Sequence, residues 1–283
     1  MSTVFWNGRL VPLDQVRVSV LDRGFLYGDG VFETVRVVGG RPFLWTQHMR
    51  RWRAGAEFLG IEPPMTEEAL TTAVGQLVRA NGIQDGVLRL TLSRGPGPRG
   101  YSPRGAGPPT LVMTLDPLPG QTGPTVQWRV RTSKLRIPGP DPLCRFKTCN
   151  RLLQILARAE AEATGGNEAM LVACDGHVIE GSSSNVFWVR SGTLYSPGPE
   201  QGALPGITRA WVMAWARAWN WPVVEASAPV EEVWEAEGVF LTLSTWGIVE
   251  VTHWDDRPLQ SWPGLTALRR AYQEALQAAA HAG

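Results

Sequence analysis

A chain of 283 residues, 43% of them apolar and 19% charged, is long enough to bury two separate cores, and its formal net charge of +1 gives no electrostatic reason to expect nucleic acid or an anionic membrane as a partner. Three cysteines without CxxC spacing (Cys144, Cys149, Cys174) and four isolated histidines exclude a disulfide framework and offer no metal set. With no run of eighteen apolar residues and no basic leader before an apolar stretch, a soluble, cytoplasmic protein without metal is expected.

In chain order, VFWNG and RLVPL read as short strands, and VFETVRVV turns through Gly39-Gly40 into RPFLW as a hairpin. Thr46 is the expected cap of a helix carrying Met49, Trp52, Ala56 and Leu59. Thr66 caps a second, with Leu70, Val74, Leu77 and Val78, that stops at Asn81-Gly82. Strands resume at VLRLTLSR and TLVMTL. Between them GPGPRG (95–100) has GxGxxG spacing, but its prolines remove backbone donors and YSPRGAGPP cannot open a helix; it reads as a flexible surface loop carrying Arg99 and Tyr101. The Pro/Gly-dense stretch at 116–125 marks a boundary: a first domain at 1–118, a linker at 119–125 and a second domain at 126–283.

The second part opens with the strand VQWRVRT and a helix whose expected apolar stripe is Leu152, Leu153, Leu156, Ala159 and Ala163. Hairpins follow at Asp175-Gly176 and Ser191-Gly192. Then come a helix from Thr208 with Trp211, Trp215 and Trp219 as its expected core stripe, the strand GVFLTL, and a last amphipathic helix from about Pro263 to Ala280. Strands interleaved with helices and joined by hairpins predict an α+β fold with mixed sheets.

The side chains with chemical potential are few. Lysine occurs twice against 25 arginines, and of the two only Lys147, in RFKTCNRLLQ, lies beside a helix start; a lysine amine can lose its proton when desolvated and attack a carbonyl, which arginine cannot. LPGITR places Gly206, Ile207 and Thr208 where a helix presents unpaired N–H groups to an anion, although an ordinary helix cap has the same sequence. Glu180 in VIEGSSSNVF, Arg51 in HMRRW, and Ser244-Thr245 in STWG each read singly as an edge carboxylate, a surface charge and a turn.

Taken in order, YGDGVFETVRV, the HxxR of the first helix, KTxNRL, DGxVxEGSSSNVFW, LPGITR and STWGIVEV resemble the class IV (fold type IV) pyridoxal-phosphate enzymes over nearly the whole chain. That family comprises branched-chain aminotransferases, D-amino-acid aminotransferases and aminodeoxychorismate lyases. The resemblance implies a smaller N-terminal α/β domain, a larger C-terminal pseudo-barrel domain, pyridoxal 5'-phosphate as cofactor, a small amine substrate and a homodimer whose neighbour contributes a loop to the site. By motif position it implies Lys147 as the catalytic lysine that carries the cofactor and moves a proton, and Glu180 as the carboxylate at the pyridine nitrogen. Arg51, Ile207, Thr208, Ser244 and Thr245 become phosphate contacts, Phe32, Arg99 and Tyr101 line the substrate, and Thr34 joins Lys147 and Glu180 as a catalytic residue by orienting the leaving portion. SRGPGPRGY and GFLYGDGVFETVR resemble the lyase pattern, which implies 4-amino-4-deoxychorismate lyase, giving 4-aminobenzoate and pyruvate for folate biosynthesis. The D-amino-acid aminotransferase pattern is next, with a tyrosine where Phe32 stands and a histidine where Tyr101 stands. The branched-chain pattern, whose Arg-Pro pair is absent from VLRLTLSRG, ranks third.

Overall fold

The computed structural model describes residues 2–118, 126–137 and 141–281, so the expected linker at 119–125 lies outside the described residues. The chain divides into two compact units: Met1–Pro119 with Phe146–Arg151 and Ala275–Gly283, and Gly120–Arg145 with Leu152–Glu274.

The first unit contains β1 (Thr3–Trp6), β2 (Arg9–Pro12), α1 (Arg23–Tyr27), β3 (Gly30–Val38), β4 (Arg41–Pro42), α2 (Trp45–Leu59), α3 (Glu67–Asn81), β5 (Gly86–Ser93) and β6 (Thr110–Pro117). Its antiparallel sheet has the order β2-β1-β6-β5-β3-β4. Alternation decides the faces: Val31, Val35 and Val37 of β3 and Leu88, Leu90 and Leu92 of β5 pack with Met49, Trp52 and Ala56 of α2 and Leu70, Val74 and Leu77 of α3. Each of those large apolar side chains contributes about 1.5–3 kcal/mol relative to exposure. The opposite face of the same two strands carries Phe32 across from Thr91 and Thr34 across from Arg89.

Thr66 accepts from the Ala69 amide as the expected cap, and Gly82 ends α3 with φ +67°. Thr46 is not the cap of α2. Only Arg41–Pro42 of RPFLW is strand paired with β3; the Phe43 amide still donates to the Arg36 carbonyl in the same register, and Leu44 at φ +54° then turns the chain into the helix.

The second unit contains β7 (Gln127–Ile137), α4 (Leu152–Ala163), β8 (Glu168–Ala173), β9 (Val178–Gly181), β10 (Asn185–Arg190), β11 (Thr193–Ser196), α5 (Ile207–Ala218), β12 (Val223–Glu225), α6 (Val230–Trp234), β13 (Gly238–Leu243), β14 (Gly247–Trp254) and β15 (Arg257–Pro258); helix α7 (Leu265–His281) begins here and its residues from Ala275 group with the first unit. The sheet runs β12-β11-β10-β13-β14-β7-β8-β9, with β15 on β14. Its β11/β12, β14/β7 and β7/β8 pairs are parallel and the rest antiparallel, the mixed pattern the hairpins predict. Strand β9 returns alongside β10, curling the sheet into a half-barrel around Trp128, Val130, Met170, Val186, Leu241, Val249 and Trp254.

Two expected helix faces are corrected. On α4 the buried residues are Ala157 and Ala161, with Leu153 against the same cluster of Ala169 and Leu171, while Leu152, Ile155 and Leu156 are exposed: alanines let the helix approach the sheet closely, and the leucines turn outward. On α5 the buried face is Thr208, Arg209, Val212, Met213 and Ala216. Its tryptophans form a flanking aromatic cluster instead, Trp215 meeting Trp221 and Trp211 meeting Tyr272, and Trp219 is 69% exposed.

Candidate active site

Lys147 is held as part of an added edge strand. The Phe32 amide donates to the Lys147 carbonyl (2.9 Å), the Cys149 amide donates to the Gly30 carbonyl (2.8 Å), and Thr148 bridges to Val31. Arg151 staples the segment from its other end by donating to the Thr148 and Phe146 carbonyls, and the Phe146 ring stacks on Phe58 at 4.4 Å between centroids. The YGDG motif is the reason the segment fits. A Cβ on Gly28 would lie 3.1 Å from Asn150, and one on Gly30 would collide with the Leu92 carbonyl oxygen and crowd Cys149 Sγ at 3.3 Å. The lysine Nζ then lies 4.8 Å from the Phe32 ring centroid, which the Arg89 guanidinium approaches to 3.9 Å. Thr34 is half-buried on the same strand face and pairs in register with Arg89.

On the helix side of β3, Glu33 is fully buried and grips Arg51 by two bonds, Nε to Oε1 (2.8 Å) and Nη2 to Oε2 (2.7 Å), while His48 Nδ1 lies 2.7 Å from Oε2. Burial alone would raise the Glu33 carboxyl, but the Arg51 charge and the bonds from His48 and Arg51 outweigh it and hold it at about 2. Burial pushes His48 below its ordinary value despite Glu33, helped by the charges of Arg51 and Lys147, so the imidazole is neutral at pH 7 and its Nδ1 hydrogen is the one that donates. The guanidinium is therefore fixed by its Nε/Nη2 edge, and the opposite, Nη1 edge is aimed by Glu33. Because the folded-state carboxyl sits below its ordinary 4.5, its contribution is fully present above that value and is lost as pH falls toward 2, about 3 kcal/mol in all. Chemical denaturation from pH 7 to pH 2 should show that loss in the wild type and a flatter profile in Glu33→Gln; identical profiles would refute the assignment.

Arg99 and Tyr101 lie in the 94–102 loop, Tyr101 at 88% exposure with its ring edge-on to Tyr27. The flexible loop expected here is instead a tethered one. The Gly100, Tyr101 and Ser102 carbonyls all accept bonds from Arg23.

In the second unit, Glu180 lies near the end of β9 with Oε2 accepting from the Leu204 amide (2.9 Å) and from Asn185 Nδ2 (3.3 Å), and Asn185 donates also to the Leu204 carbonyl. The serine run is explained by one buried carboxylate, Glu168, which accepts from the hydroxyls of Ser182, Ser183 and Ser184, from the Ser183 amide and from Arg158. Gly181 permits that turn, since a Cβ there would collide with Ser184 Oγ. Asn185 also presses on the start of α5: a Cβ on Gly206 would collide with its Oδ1. Among the described residues no side chain caps that helix, so the amides of its first turn, at Ile207 and Thr208, have no cap acceptor. Across the sheet from Asn185, Thr242 Oγ1 is buried without a hydrogen-bond partner among the described residues, and Ser244 and Thr245 form the half-buried turn that follows. Glu180, Asn185, the α5 start and Thr242 are thus linked by direct neighbours.

The family profile described as Amino-transferase class IV matches residues 30–254. The chain belongs to the class IV aminotransferase family. Among its curated relatives are a putative branched-chain-amino-acid aminotransferase of Methanocaldococcus jannaschii (34% identical, 91% of this chain and 90% of that one), a D-alanine aminotransferase of Bacillus licheniformis (32%, 97% and 95%) and an aminodeoxychorismate lyase of Bacillus subtilis (28%, 98% and 96%). A crystal structure of the T.th. branched-chain amino acid aminotransferase with pyridoxamine 5'-phosphate superposes with a TM-score of 0.90 at 30% identity, covering 97% of this chain and 94% of that one. The sequence resemblance thus holds at family level, and the fold is that of the class IV enzymes.

The class IV chain has Lys147, Phe32, Thr34, Arg51, Arg99 and Tyr101 in its first unit and Glu180, Ile207, Thr208, Ser244 and Thr245 in its second. Sequence reasoning missed Glu33, His48, Arg89, Asn185, Glu168 and Arg23. A charged residue within an apolar strand run, as Glu33 is, was the available signal for a buried ion pair. Among the described residues no group of His, Cys, Asp and Glu could hold a metal ion, and no helix is long and apolar enough to cross a membrane.

Proposed function

We propose that this class IV enzyme is a 4-amino-4-deoxychorismate lyase that uses pyridoxal 5'-phosphate to release pyruvate from its substrate and leave 4-aminobenzoate, the aromatic precursor used in folate biosynthesis. The residues fit that cofactor. Lys147 supplies the amine, Arg51 a guanidinium fixed by Glu33, and the α5 start and the Thr242 hydroxyl, without a side-chain cap and without a hydrogen-bond partner among the described residues, supply donors suited to an anion. Motif position assigns Lys147 and Glu180 to catalysis, and Arg51, Ile207, Thr208, Ser244 and Thr245 to the phosphate.

When bound, the cofactor supplies an electron sink for the pair released at the substrate carbon that bears the amine. Lys147 Nζ takes the proton from that carbon, positioned over Phe32 by its place on the β3 edge. Glu180, held by the Leu204 amide and Asn185, keeps the pyridine nitrogen protonated by its charge. Arg99 and Tyr101 hold a substrate carboxylate, and Thr34 orients the departing enolpyruvyl portion.

The observation that carries the lyase reading is the SRGPGPRGY loop itself, tethered so that Arg99 and Tyr101 stand on a defined backbone. The relatives favour a second reading, amino transfer from a D-amino acid or a branched-chain amino acid, because the two aminotransferases are 34% and 32% identical against 28% for the lyase. Supplying aminodeoxychorismate and following pyruvate separates them. The expected result is pyruvate release with no transfer from D-alanine or leucine to 2-oxoglutarate; the reverse pattern assigns the chain to the aminotransferases.

We also infer a homodimer in the cytoplasm. Exposed Leu143, Leu152, Ile155 and Leu156 on the second unit and Val18, Val20, Leu21 and Phe25 on the first support burial against a second copy, and three free cysteines suit a reducing compartment. Sedimentation should give twice the 31.0 kDa of one chain, and a 31.0 kDa species at micromolar concentration would refute the dimer.

A further inference from the structure

The 95–102 loop has the composition of a mobile segment, yet one buried side chain holds it. Arg23, at the start of α1, is 3% exposed and uses its guanidinium on both sides. Nε donates to Asp29 (2.8 Å). Nη1 donates to the Gly100 and Ser102 carbonyls (2.9 and 3.1 Å) and Nη2 to the Tyr101 carbonyl (3.2 Å). Three successive peptide oxygens are thus gathered on one cation, directly after Arg99. The Tyr27 hydroxyl accepts from the Gly100 amide (3.1 Å), and the Tyr27 ring lies under the Arg23 guanidinium at 5.0 Å.

The buried charge is balanced on the far side. Asp29 is shared with Arg94, which binds it by two bonds and also donates to the Leu59 and Gly60 carbonyls at the end of α2. Although burial opposes it, the bonds and charges of Arg94 and Arg23 hold the Asp29 carboxyl below its ordinary value, so it stays ionised. One carboxylate therefore carries two arginines, and the surplus positive charge is spread over five peptide oxygens. The planar fork matters here: it alone delivers four bonds in two directions, whereas an ammonium has three donors around one point.

We propose that Arg23 is a positioning residue for substrate recognition, fixing the backbone of residues 100–102 so that Arg99 and Tyr101 meet the substrate carboxylate in one conformation. This rests on the reading of that loop as substrate-binding. Because the loop is ordered before substrate arrives, affinity should suffer when the clamp is lost, while the chemical step at Lys147 should not.

The test compares Arg23→Met, Arg23→Lys and Arg99→Ala as cofactor-loaded enzymes. Two quantities are read: the rate of trypsin cleavage after Arg104, which all three variants retain, and KM and kcat for whichever substrate is turned over. R23M should be cleaved at least tenfold faster than wild type and show KM raised at least tenfold, with kcat within threefold and the visible cofactor absorbance unchanged. R23K, which keeps the charge but not the fork, should fall between, and it carries the test if R23M does not fold. R99A should raise KM with no change in cleavage. Wild-type cleavage and KM in the Arg23 variants, while R99A loses affinity, overturn the role of Arg23 alone. Faster cleavage in R23M with KM unchanged in both R23M and R99A overturns the substrate reading of the loop, and with it the assignment of Arg23 to recognition.

Discussion

On the assignment proposed for Lys147, its replacement by alanine should lower turnover by about 10⁴-fold, the scale of losing a positioned proton-transfer group together with the cofactor's covalent anchor. The fold should survive the change, because the bond that ties residue 147 to β3 is made by its backbone carbonyl, and the cation–π contact to Phe32 that the side chain gives up is worth about 1 kcal/mol. Single-turnover kinetics and far-ultraviolet circular dichroism check both halves. Borohydride should bleach the wild-type protein and attach the cofactor to Lys147, leaving the alanine variant unlabelled. Lys134, exposed on β7, is the internal control: label found there would refute the assignment.

Glu180→Ala is the second large effect expected, a fall in kcat of about 10²–10³-fold, as for other preorganised charges removed from a reacting centre. Cofactor affinity should change by less than tenfold, since the phosphate contacts assigned to Arg51 and the α5 start remain. Stability should drop by about 1–3 kcal/mol, because the Leu204 amide and the Asn185 side chain lose an acceptor. Cofactor titration and steady-state kinetics separate the two quantities. Unchanged kcat would sink the electron-sink role given to this carboxylate.

What the sequence made legible was mainly backbone chemistry. Gly39-Gly40, Gly176 and Ser191-Gly192 all adopt the positive φ angles that their hairpins demand, and Thr66 and Gly82 bracket α3 as their residue types dictate. Motif order likewise sufficed for the family. Helix faces were harder, and α4 and α5 show why: each carries apolar residues on more than one side, so periodicity identifies the helix without saying which side meets the sheet. On α4 the small Ala157 and Ala161 won the buried side over larger leucines, a choice made by the closeness of β8. The polar residues that organise the site were hidden for a related reason. Glu33, Arg23 and Glu168 have partners 18, 77 and 14 positions away in the chain; the apolar run around Glu33 signals that its charge is paired, but no local pattern names the partner of a bond formed only after folding.

The strip of chain from Phe146 to Cys149 closes the N-terminal half of β3, which pairs with β5 on its other side. A fragment ending at residue 118 would leave those amides and carbonyls bare on β3, a template for intermolecular pairing and insoluble aggregates. Producing the first unit by itself therefore calls for grafting residues 146–151 back through an artificial connection, and a genetic split of this enzyme is better placed elsewhere.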